Sequence, residues 1–447
     1  MRLSKAARRR RPLVGGEVTE LACVFLGMPE LLVKSAREVG GELHVLVETK
    51  PGPVGCRRCG TLAESKGRRN SCIRDLEVSG RPTVLFWKKR RWRCKDPDCE
   101  AKTWTEEIGG IAPRAVLTRR ARTEIARRIG EDADPVAQVA RNYGVSWDTA
   151  WGAFKEEVTP RIEDPERIKG VEALGVDETA FLAATKDHGR IFATGMVDVR
   201  RSLLLDIIEG RSAKILSDWL GERPEAWRQA VEVVTIDPLE AYRSGLKPHL
   251  EHVMVVADEF HIVKLANTAI DDVRRRTQNE LTGHRGRKGD PLYDIRKILL
   301  TADERLTDKA RARLDAALAA GDPKDEVLAA WLAKEHLREA YAVDDPKEAE
   351  KLLDKVLEEC RTSEVGELNR LGTTLTRWRT EILNHHRTGD SNGPTESMNL
   401  LVKKIKRSGC GFTNFKHYRL RVLAHCGLKW QTHRTASMRG RAPQFAA

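Results

Sequence analysis

The sequence predicts an α+β multidomain protein, and three patterns along the chain support this fold class. Two pairs of closely spaced cysteines lie within the first 100 residues, two short amphipathic helices follow near residue 140, and short apolar strands alternate with helices from about residue 170. The chain of 447 residues is long enough for two or three domains, and its hydrophobic content of 40% is enough for a sizeable core.

The distribution of charge divides the chain into three parts. Residues 1–130 hold 29 Lys/Arg and 15 Asp/Glu, residues 131–395 hold 39 and 50, and residues 396–447 hold 11 and 1. Basic ends of this kind fit the binding of a polyanion. The acidic middle is either a solvated helix surface or a place where carboxylates meet a cation.

The sequence shows no apolar stretch near the roughly 18 residues that a membrane span requires. The basic tail, residues 1–17, is not followed by the apolar segment of a signal peptide. We therefore expect no membrane partner and a cytoplasmic chain whose thiols are reduced.

The first module, residues 18–110, is predicted to be a zinc ribbon. Cys56 and Cys59 form one knuckle, Cys94 and Cys99 form a second, and zinc takes four such ligands tetrahedrally. The stretch "RPTVLFWKKRRWRC", residues 81–94, is rich in β-formers and is predicted to be the hairpin of the ribbon. The alternative is that these four are unpaired buried thiols. Cys72 is either a substitute ligand or a small buried residue, and the remaining cysteines are interpreted as packing residues: Cys23, Cys360, Cys410 and Cys426.

Basic side chains are dense in this module, and two tryptophans lie among them. The residues that we expect to contact DNA phosphates are Arg57, Arg58, Arg90 and Arg91. A merely solvated basic surface is the alternative.

Residues 111–165 are predicted to form a helix-turn-helix domain. In "DPVAQVARNYGVSWDTAWGAFKEEV", residues 134–158, apolar residues recur at i, i+3 and i+4, Gly144 permits a turn, and Ser146 is placed to cap the next helix. Trp147 would then lie in or near a DNA groove.

From residue 166 to 264 the pattern predicts a mixed α/β core with the order β-β-β-α-β-α-β-α. Asp177, Asp237 and Asp258 each follow an apolar run, and we expect each to lie at the carboxyl end of a strand. Ligands bind in the crevice outside such strand ends, so three aspartates in register predict a shared site. Residues 265–385 are predicted to be a helical insertion, because a segment this long is not a simple connection.

The last part, residues 386–447, combines the end of the core with a basic tail. A turn at Asn392–Pro394 begins a predicted helix on which Glu396, Asn399, Leu400 and Lys403 share a face. Glu396 is the only acidic residue after Ser391. It is either an ordinary acid at a helix N-terminus or a metal ligand flanked by the predicted DNA-backbone contacts Lys403, Lys404, Lys406 and Arg407.

Taken together, these motifs resemble the ISL3 family of bacterial insertion-sequence transposases over nearly the whole chain. The pieces that carry the resemblance are "CRRCG", "RWRCKDPDC", the helix-turn-helix, "LGVDETAF", "VVTIDPLEAY", "VVADEFHIVKLANTAIDDVR" and "SNGPTESMNLLVKKIKRSGCGF". The resemblance implies an RNase H-like catalytic core with an acidic triad. By position the triad is Asp177, Asp237 and Glu396, which would bind Mg²⁺ or Mn²⁺, and Asp258 and His261 occupy a supporting D-x-x-H position.

The resemblance also implies double-stranded DNA as the partner, both as element ends and as target, and a homodimer in the synaptic complex. Two other functional classes stay open on the sequence. A DNA-binding regulator derived from such a transposase would use only the first two modules, and a nuclease or resolvase on the same fold would cut DNA without joining it.

Overall fold

The computed structural model describes residues 22–186 and 188–430 and divides the chain into two compact units. The first unit comprises the described residues up to 164 together with residues 407–411 and 429–430, and the second comprises residues 165–406 and 412–428. The predicted basic tail, residues 1–17, and the end of the carboxy-terminal tail, residues 431–447, lie outside the described residues.

The first unit begins with a five-stranded sheet in the order β1-β2-β4-β3, with β5 paired to β4. Its strands are β1 Leu31–Val39, β2 Glu42–Thr49, β3 Ala63–Val78, β4 Arg81–Cys94 and β5 Thr103–Thr105. Residues 81–94, predicted to be a whole hairpin, form the single strand β4. The hairpin partner is β3, and the turn lies upstream at Ser79 and Gly80, whose φ angles are 52° and 72°. One face of this sheet is apolar and carries Val33, Val45, Val47, Ile73, Leu85 and Trp87.

Three helices follow in the same unit: α1 Arg119–Gly130, α2 Val136–Tyr143 and α3 Trp147–Glu163. The predicted helix-turn-helix is confirmed as α2 and α3. Gly144 ends α2 in the left-handed conformation with φ 61°, which glycine adopts without a steric penalty. The Ser146 side chain caps α3 by accepting a 3.2 Å hydrogen bond from the backbone N–H of Thr149.

The second unit is built on a mixed sheet in the order β10-β9-β6-β7-β8. Its strands are β6 Ala173–Leu182, β7 Ile191–Asp198, β8 Leu203–Glu209, β9 Val233–Ile236 and β10 Met254–Ala257. β6, β7 and β8 are antiparallel, whereas β9 runs parallel to β6 and β10 runs parallel to β9. The connecting helices are α4 Ala213–Gly221, α5 Glu225–Ala230 and α6 Glu240–Leu246. The predicted mixed core is confirmed, and α5 is one short helix more than predicted.

The segment after β10 is helical, and its first helix follows Asp258 directly, as predicted. The helices are α7 Glu259–Thr282, α8 Pro291–Asp294, α9 Asp308–Gly321, α10 Glu326–Ala342, α11 Pro346–Thr362, α12 Gly366–Arg377 and α13 Arg379–Thr388. Sheet residues such as Val176 and helical residues such as Leu337 and Leu375 belong to one hydrophobic core. The helical insertion therefore shares a core with the sheet that carries the candidate site.

The remaining helices are α14 Gly393–Ser408, which carries Glu396, and α15 Phe415–Cys426. No helix in residues 22–186 and 188–430 is long and apolar enough to cross a membrane.

The nine cysteines are free thiols. Cys360 and Cys426 are buried, as expected of packing residues, and Cys23 is half-buried. The prediction was wrong for Cys72 as a small buried residue and for Cys410 as a packing residue, because both are exposed. Cys72 lies on the open face of β3, and Cys410 lies in the turn that follows α14.

Candidate active site and zinc centre

Three aspartates lie at one level of the second sheet because their strands are in register. Val176 of β6 pairs with Ile236 of β9, and Ile236 also pairs with Ala257 of β10. The next residues are Asp177, Asp237 and Asp258. The predicted strand end holds for β9 and β10 but was wrong for Asp177, since β6 continues to Leu182 in its pairing with β7. Asp177 therefore lies where its parallel neighbours stop.

Two overlapping groups of ligand atoms form at this level, and Asp237 belongs to both. The carboxylate oxygens of Asp177, Glu178 and Asp237 lie within 4.8 Å of one another, as do ligand atoms of Asp237, Asp258 and His261. His261 Nδ1 is 2.8 Å from Asp258 Oδ2 and 3.0 Å from Asp237 Oδ1. Asp258 also caps α7 by accepting a hydrogen bond from the backbone N–H of His261. The structure thus brings Asp177, Asp237, Asp258 and His261 together.

The electrostatics of this cluster are those of carboxylates held too close to one another. Burial, followed by the charge of Asp237, raises the pKa of Asp177 to about 7. Burial lowers the pKa of His261, but its hydrogen bonds to Asp237 and Asp258 outweigh this and raise the pKa to about 10. The imidazolium therefore supplies one positive charge among the acids, and Asp177 remains without a full counter-charge.

Helix α14 packs on the same edge of the sheet through small polar side chains. Thr235 of β9 donates a 3.0 Å hydrogen bond from Oγ1 to the Asn392 side chain just before the helix, and both residues are fully buried. Asn399 donates a hydrogen bond to Asp177 Oδ2. Thr395 is so close to β6 that a Cβ at Gly175 would lie 2.1 Å from its Oγ1. These contacts place the first turn of α14 beside the aspartates.

Glu396 projects from that first turn and is half-buried. Burial and then the charge of Asp258 raise its pKa, with Asp237 adding to the shift and His261 opposing it. It lines a groove together with Asp258. In the described part of the chain, however, its carboxylate is not a member of either 4.8 Å group. The structure therefore brings Glu396 next to Asp258 and Asp237 but not into one cluster with Asp177.

Glu178 is a member of the carboxylate group that the sequence interpretation missed. It accepts a 2.8 Å hydrogen bond from the Tyr242 hydroxyl and a 3.2 Å hydrogen bond from Arg211. It follows Asp177 directly in the chain, and that adjacency was the available signal. The sequence placed Asn399 on the same helix face as Glu396 but did not predict its hydrogen bond to Asp177. The close approach of Gly175 and Thr395 requires the tertiary structure.

The four predicted zinc ligands converge in the first unit. The sulfur atoms of Cys56, Cys59, Cys94 and Cys99 lie within 4.8 Å of one another, with Cys56 3.6 Å from Cys99 and Cys59 3.4 Å from Cys94. Zinc–sulfur bonds of about 2.3 Å in a tetrahedron place sulfurs about 3.8 Å apart, so the set fits zinc. Cys72 is not part of the cluster.

The four thiols are electrostatically unequal. Backbone hydrogen bonds, the first from Cys59, lower the pKa of the Cys56 thiol to about 6. Burial raises the pKa of Cys94 to about 12. A cation would therefore have to displace a proton from Cys94, and zinc is able to do so.

The predicted DNA contacts differ in how free their side chains are. Arg57, Arg58 and Arg91 are exposed, the first two in exposed ion pairs with Glu107 and Glu100. Arg90 is only 15% exposed, and its guanidinium donates to the carbonyl oxygens of residues 49 and 50 beside Glu106. It therefore fastens β4 to the end of β2.

The same distinction applies to the helices. Trp147, at the first turn of α3, is 43% exposed and stacks on Trp151. Lys403, Lys404 and Arg407 are exposed on α14. Lys406 instead donates a 2.7 Å hydrogen bond to the carbonyl oxygen of Ala180 and anchors the helix to β6.

A carboxylate cluster on a mixed sheet, preceded by a four-cysteine module and a helix-turn-helix, defines the class of DDE transposases. Sequence comparison agrees with that class. Residues 174–422 match the ISL3-type DDE transposase family, described as "Transposase". Residues 106–158 match the helix-turn-helix domain of transposase family ISL3, and residues 52–99 match the zinc-finger of transposase IS204/IS1001/IS1096/IS1165. The chain belongs to the ISL3 family of transposases.

Two curated relatives show how far the similarity extends. The chain is 25% identical over 400 residues to the transposase for insertion sequence element IS1001 of Bordetella parapertussis, covering 88% of this chain and 93% of the relative. It is 25% identical over 411 residues to the transposase for insertion sequence element IS1557 of Mycobacterium tuberculosis, covering 84% and 87%.

The resemblance, the fold class and the enzyme class expected from the sequence are thus confirmed: the protein is a transposase of ISL3 family insertion sequences. The helix-turn-helix implies DNA binding, the four-cysteine cluster suggests zinc, and the DDE family implies a divalent metal.

Proposed function

We propose that the protein binds the terminal inverted repeats of its element and uses Asp177, Asp237 and Glu396 for metal-dependent strand cleavage and strand transfer. One observation carries the assignment of residues. The register of β6, β9 and β10 sets Asp177 and Asp237 side by side, and α14 packs its first turn, with Glu396, on the same edge. The position of Glu396 beside Asp258 and Asp237 supports it as the third acid, although it lies 219 residues after Asp177 in the sequence.

The donor set fits Mg²⁺ or Mn²⁺, which prefer hard oxygen ligands and retain several waters. The raised pKa of Asp177 supports this, because a bound cation would relieve the repulsion between Asp177 and Asp237. Asp177 and Asp237 would hold the metal with Glu396 completing the site. When bound, the metal would activate water and stabilise charge on the leaving oxygen.

Asp258 and His261 support these ligands. His261 contacts Asp237 and Asp258 at the same time and so fixes the orientation of both carboxylates. Hydrogen-bonded partners of this kind orient the groups that bind a metal. Asp258 is itself fixed as the cap of α7.

The reaction is a pair of substitutions at phosphorus. In cleavage, a water oxygen forms a bond to phosphorus, the bond to the 3′ oxygen breaks, and a 3′-hydroxyl and a 5′-phosphate result. In transfer, that 3′-hydroxyl loses its proton and bonds to a phosphorus of target DNA, the target's own bond from phosphorus to its 3′ oxygen breaks, and a target 3′-hydroxyl is released. Lys403, Lys404 and Arg407 lie on the helix of Glu396 and would hold the neighbouring phosphates.

Recognition of the element ends is assigned to the first unit. Trp147 lies at the start of the second helix of the helix-turn-helix, the part that reaches base edges in such domains. Arg57, Arg58 and Arg91 of the zinc module would contact phosphates. A homodimer would bring two ends together, one end bound by each copy.

The experiment is incubation of the full chain with Mg²⁺ and a labelled duplex of the element's own end. We expect a nick with a 3′-hydroxyl at the boundary, and joined products when target duplex is added. Asp177→Asn should abolish both while binding of the end is unchanged. A DNA-binding regulator would give no nick from the unaltered chain, and a nuclease or resolvase would give nicks without joined products.

A further inference from the structure

A groove of about 600 Å³ leads from the candidate active site to the helical insertion. One wall is the start of α7 with Asp258 and Phe260, and Glu396 lines it from α14. The opposite wall is the loop before α9, with Leu300 and Arg305. The insertion thus lines one side of the space in which the scissile phosphate would lie.

The loop wall is held rigidly by α10. Lys334, 1% exposed, donates hydrogen bonds of 2.8 Å and 2.9 Å to the carbonyl oxygens of Leu299 and Thr301. Arg338 donates two hydrogen bonds to the carboxylate of Glu304. A buried lysine is costly unless its ammonium is satisfied, so these bonds fix the loop in the observed position.

The groove presents an apolar pair in an otherwise charged setting. Phe260 is 59% exposed, and Leu300 across the groove is 41% exposed. The ring of Phe260 packs edge-on against His261, with centroids 5.3 Å apart at 89°. Arg305 lines the groove and is exposed, as is Lys264, which lies outside the lining with its Nζ 6.0 Å from the Phe260 ring centroid; the acidic Glu259 also lines the groove. An exposed ring beside a catalytic cluster, with cations around it, matches the chemistry of a nucleotide, which has a flat base and an anionic phosphate.

We propose that this groove accepts an unpaired nucleotide adjacent to the scissile phosphate, with its base stacked on Phe260 against Leu300. The inference rests on the proposed cleavage function. Arg305 carries the charge that complements the nucleotide's phosphate. Removing the base from the duplex would allow the strand to come closer to Asp177 and Asp237. The helical insertion would form the wall of the groove that receives the base.

The test compares two duplexes of the element end, one fully paired and one with the nucleotide next to the cleavage position left unpaired by a mismatch. Phe260→Ala should slow cleavage of the paired duplex on the order of 10-fold, the usual effect of losing one stacked base. The same substitution should slow cleavage of the mismatched duplex much less, because the nucleotide next to the cleavage position is already unpaired. Phe260→Trp should cleave both like the unaltered chain.

Leu281→Ala is the matched control, because Leu281 is 52% exposed on the same helix α7 and lies outside the groove. It should leave both rates unchanged. Equal slowing of the two duplexes by Phe260→Ala, or no slowing, would overturn the proposal.

A second measurement does not depend on cleavage. In an Asp177→Asn background, 5-iodouracil placed next to the cleavage position should form a photocrosslink to Phe260, located by peptide mapping and absent in Phe260→Ala. A crosslink elsewhere in the chain would refute the stacking even if the protein cleaves. A crosslink at Phe260 with persistent cleavage by Asp177→Asn would instead count against the proposed catalytic residues alone.

Discussion

Asn399 donates a hydrogen bond from its side-chain amide to Asp177 and so joins helix α14 to strand β6 across 222 residues of sequence. Asn399 lies three residues after Glu396, on the same face of the helix. The bond therefore fixes the rotation of α14 about its axis. Because that rotation decides where Glu396 points, Asn399 is a positioning residue for the candidate site.

We expect Asn399→Ala to lower the cleavage rate and to raise the Mg²⁺ concentration needed for half-maximal activity. The lost bond is to a carboxylate, and such bonds contribute about 1.5–3 kcal/mol. Binding of the element end should be unchanged, as measured by gel shift. Ser397→Ala, at an exposed position of the same helix, is the control. An unaltered Mg²⁺ requirement in Asn399→Ala would show that the bond does not position Glu396.

The close approach of Gly175 to Thr395 makes a second prediction. A Cβ at residue 175 would lie 2.1 Å from Thr395 Oγ1, so Gly175→Ala should push α14 off the sheet, lower the melting temperature and reduce cleavage. Thr395→Ala removes the colliding oxygen. The double variant should therefore recover part of the melting temperature and part of the cleavage activity.

Full recovery is not expected, because Val199 Cγ2 and Thr235 Oγ1 lie 3.0 Å and 3.2 Å from the same Cβ position. Gly152→Ala, where a Cβ meets nothing within 4 Å, controls for the glycine change itself. If Gly175→Ala melts and cleaves like the unaltered chain, the packing of α14 on β6 is not as close as described.

The raised pKa of Asp177 predicts how stability depends on pH in the absence of metal. A carboxyl whose folded pKa is about 7, against an ordinary value of 3.8, favours the folded state most when protonated. Its contribution is fully present below about pH 4 and is lost as the pH rises to about 7. Asp177→Asn, which cannot ionise, should therefore melt at a higher temperature than the unaltered chain at pH 8 and show a flatter pH profile.

Addition of Mg²⁺ at pH 8 should raise the melting temperature of the unaltered chain and raise that of Asp177→Asn much less. Scanning calorimetry at pH 8, with and without Mg²⁺, measures these melting temperatures. A lower melting temperature for Asp177→Asn at pH 8 without metal would mean that the ionised Asp177 is already well stabilised.

Removal of zinc should affect the first module, which is assigned to DNA binding. We expect one zinc ion per chain by elemental analysis, and Cys59→Ser should lose it and weaken binding of the element end. Cys72→Ser is the matched control, because Cys72 is an exposed thiol of the same module outside the cluster. A zinc content that falls in Cys72→Ser as well would contradict the assignment of the four ligands.

Local patterns in the sequence predicted those features that local forces determine. Gly144 and Ser146 define the helix-turn-helix because a left-handed turn residue and a side-chain cap act over a few residues. The four zinc ligands follow from their spacing. The succession of strands and helices along the core follows from apolar runs and their separation.

Features set by distant partners were harder to predict. The continuation of β6 past Asp177 depends on pairing with β7, and the hairpin partner of β4 depends on a turn at Ser79 that lies before the stretch interpreted as a hairpin. Composition likewise did not distinguish Arg90 and Lys406, which bind backbone carbonyl oxygens, from the exposed cations around them.

Helix α14 is a single rod of 16 residues with an acid in its first turn and lysines about two turns further along. Because a continuous helix is rigid, a displacement of one end also changes the direction of the other end. Under the proposed function, a shift of a DNA strand bound at Lys403 and Lys404 would also move Glu396, so a misplaced strand would disturb the metal site. Contact with the DNA backbone and cleavage would then be mechanically coupled, and DNA bound in a wrong orientation would be cut more slowly.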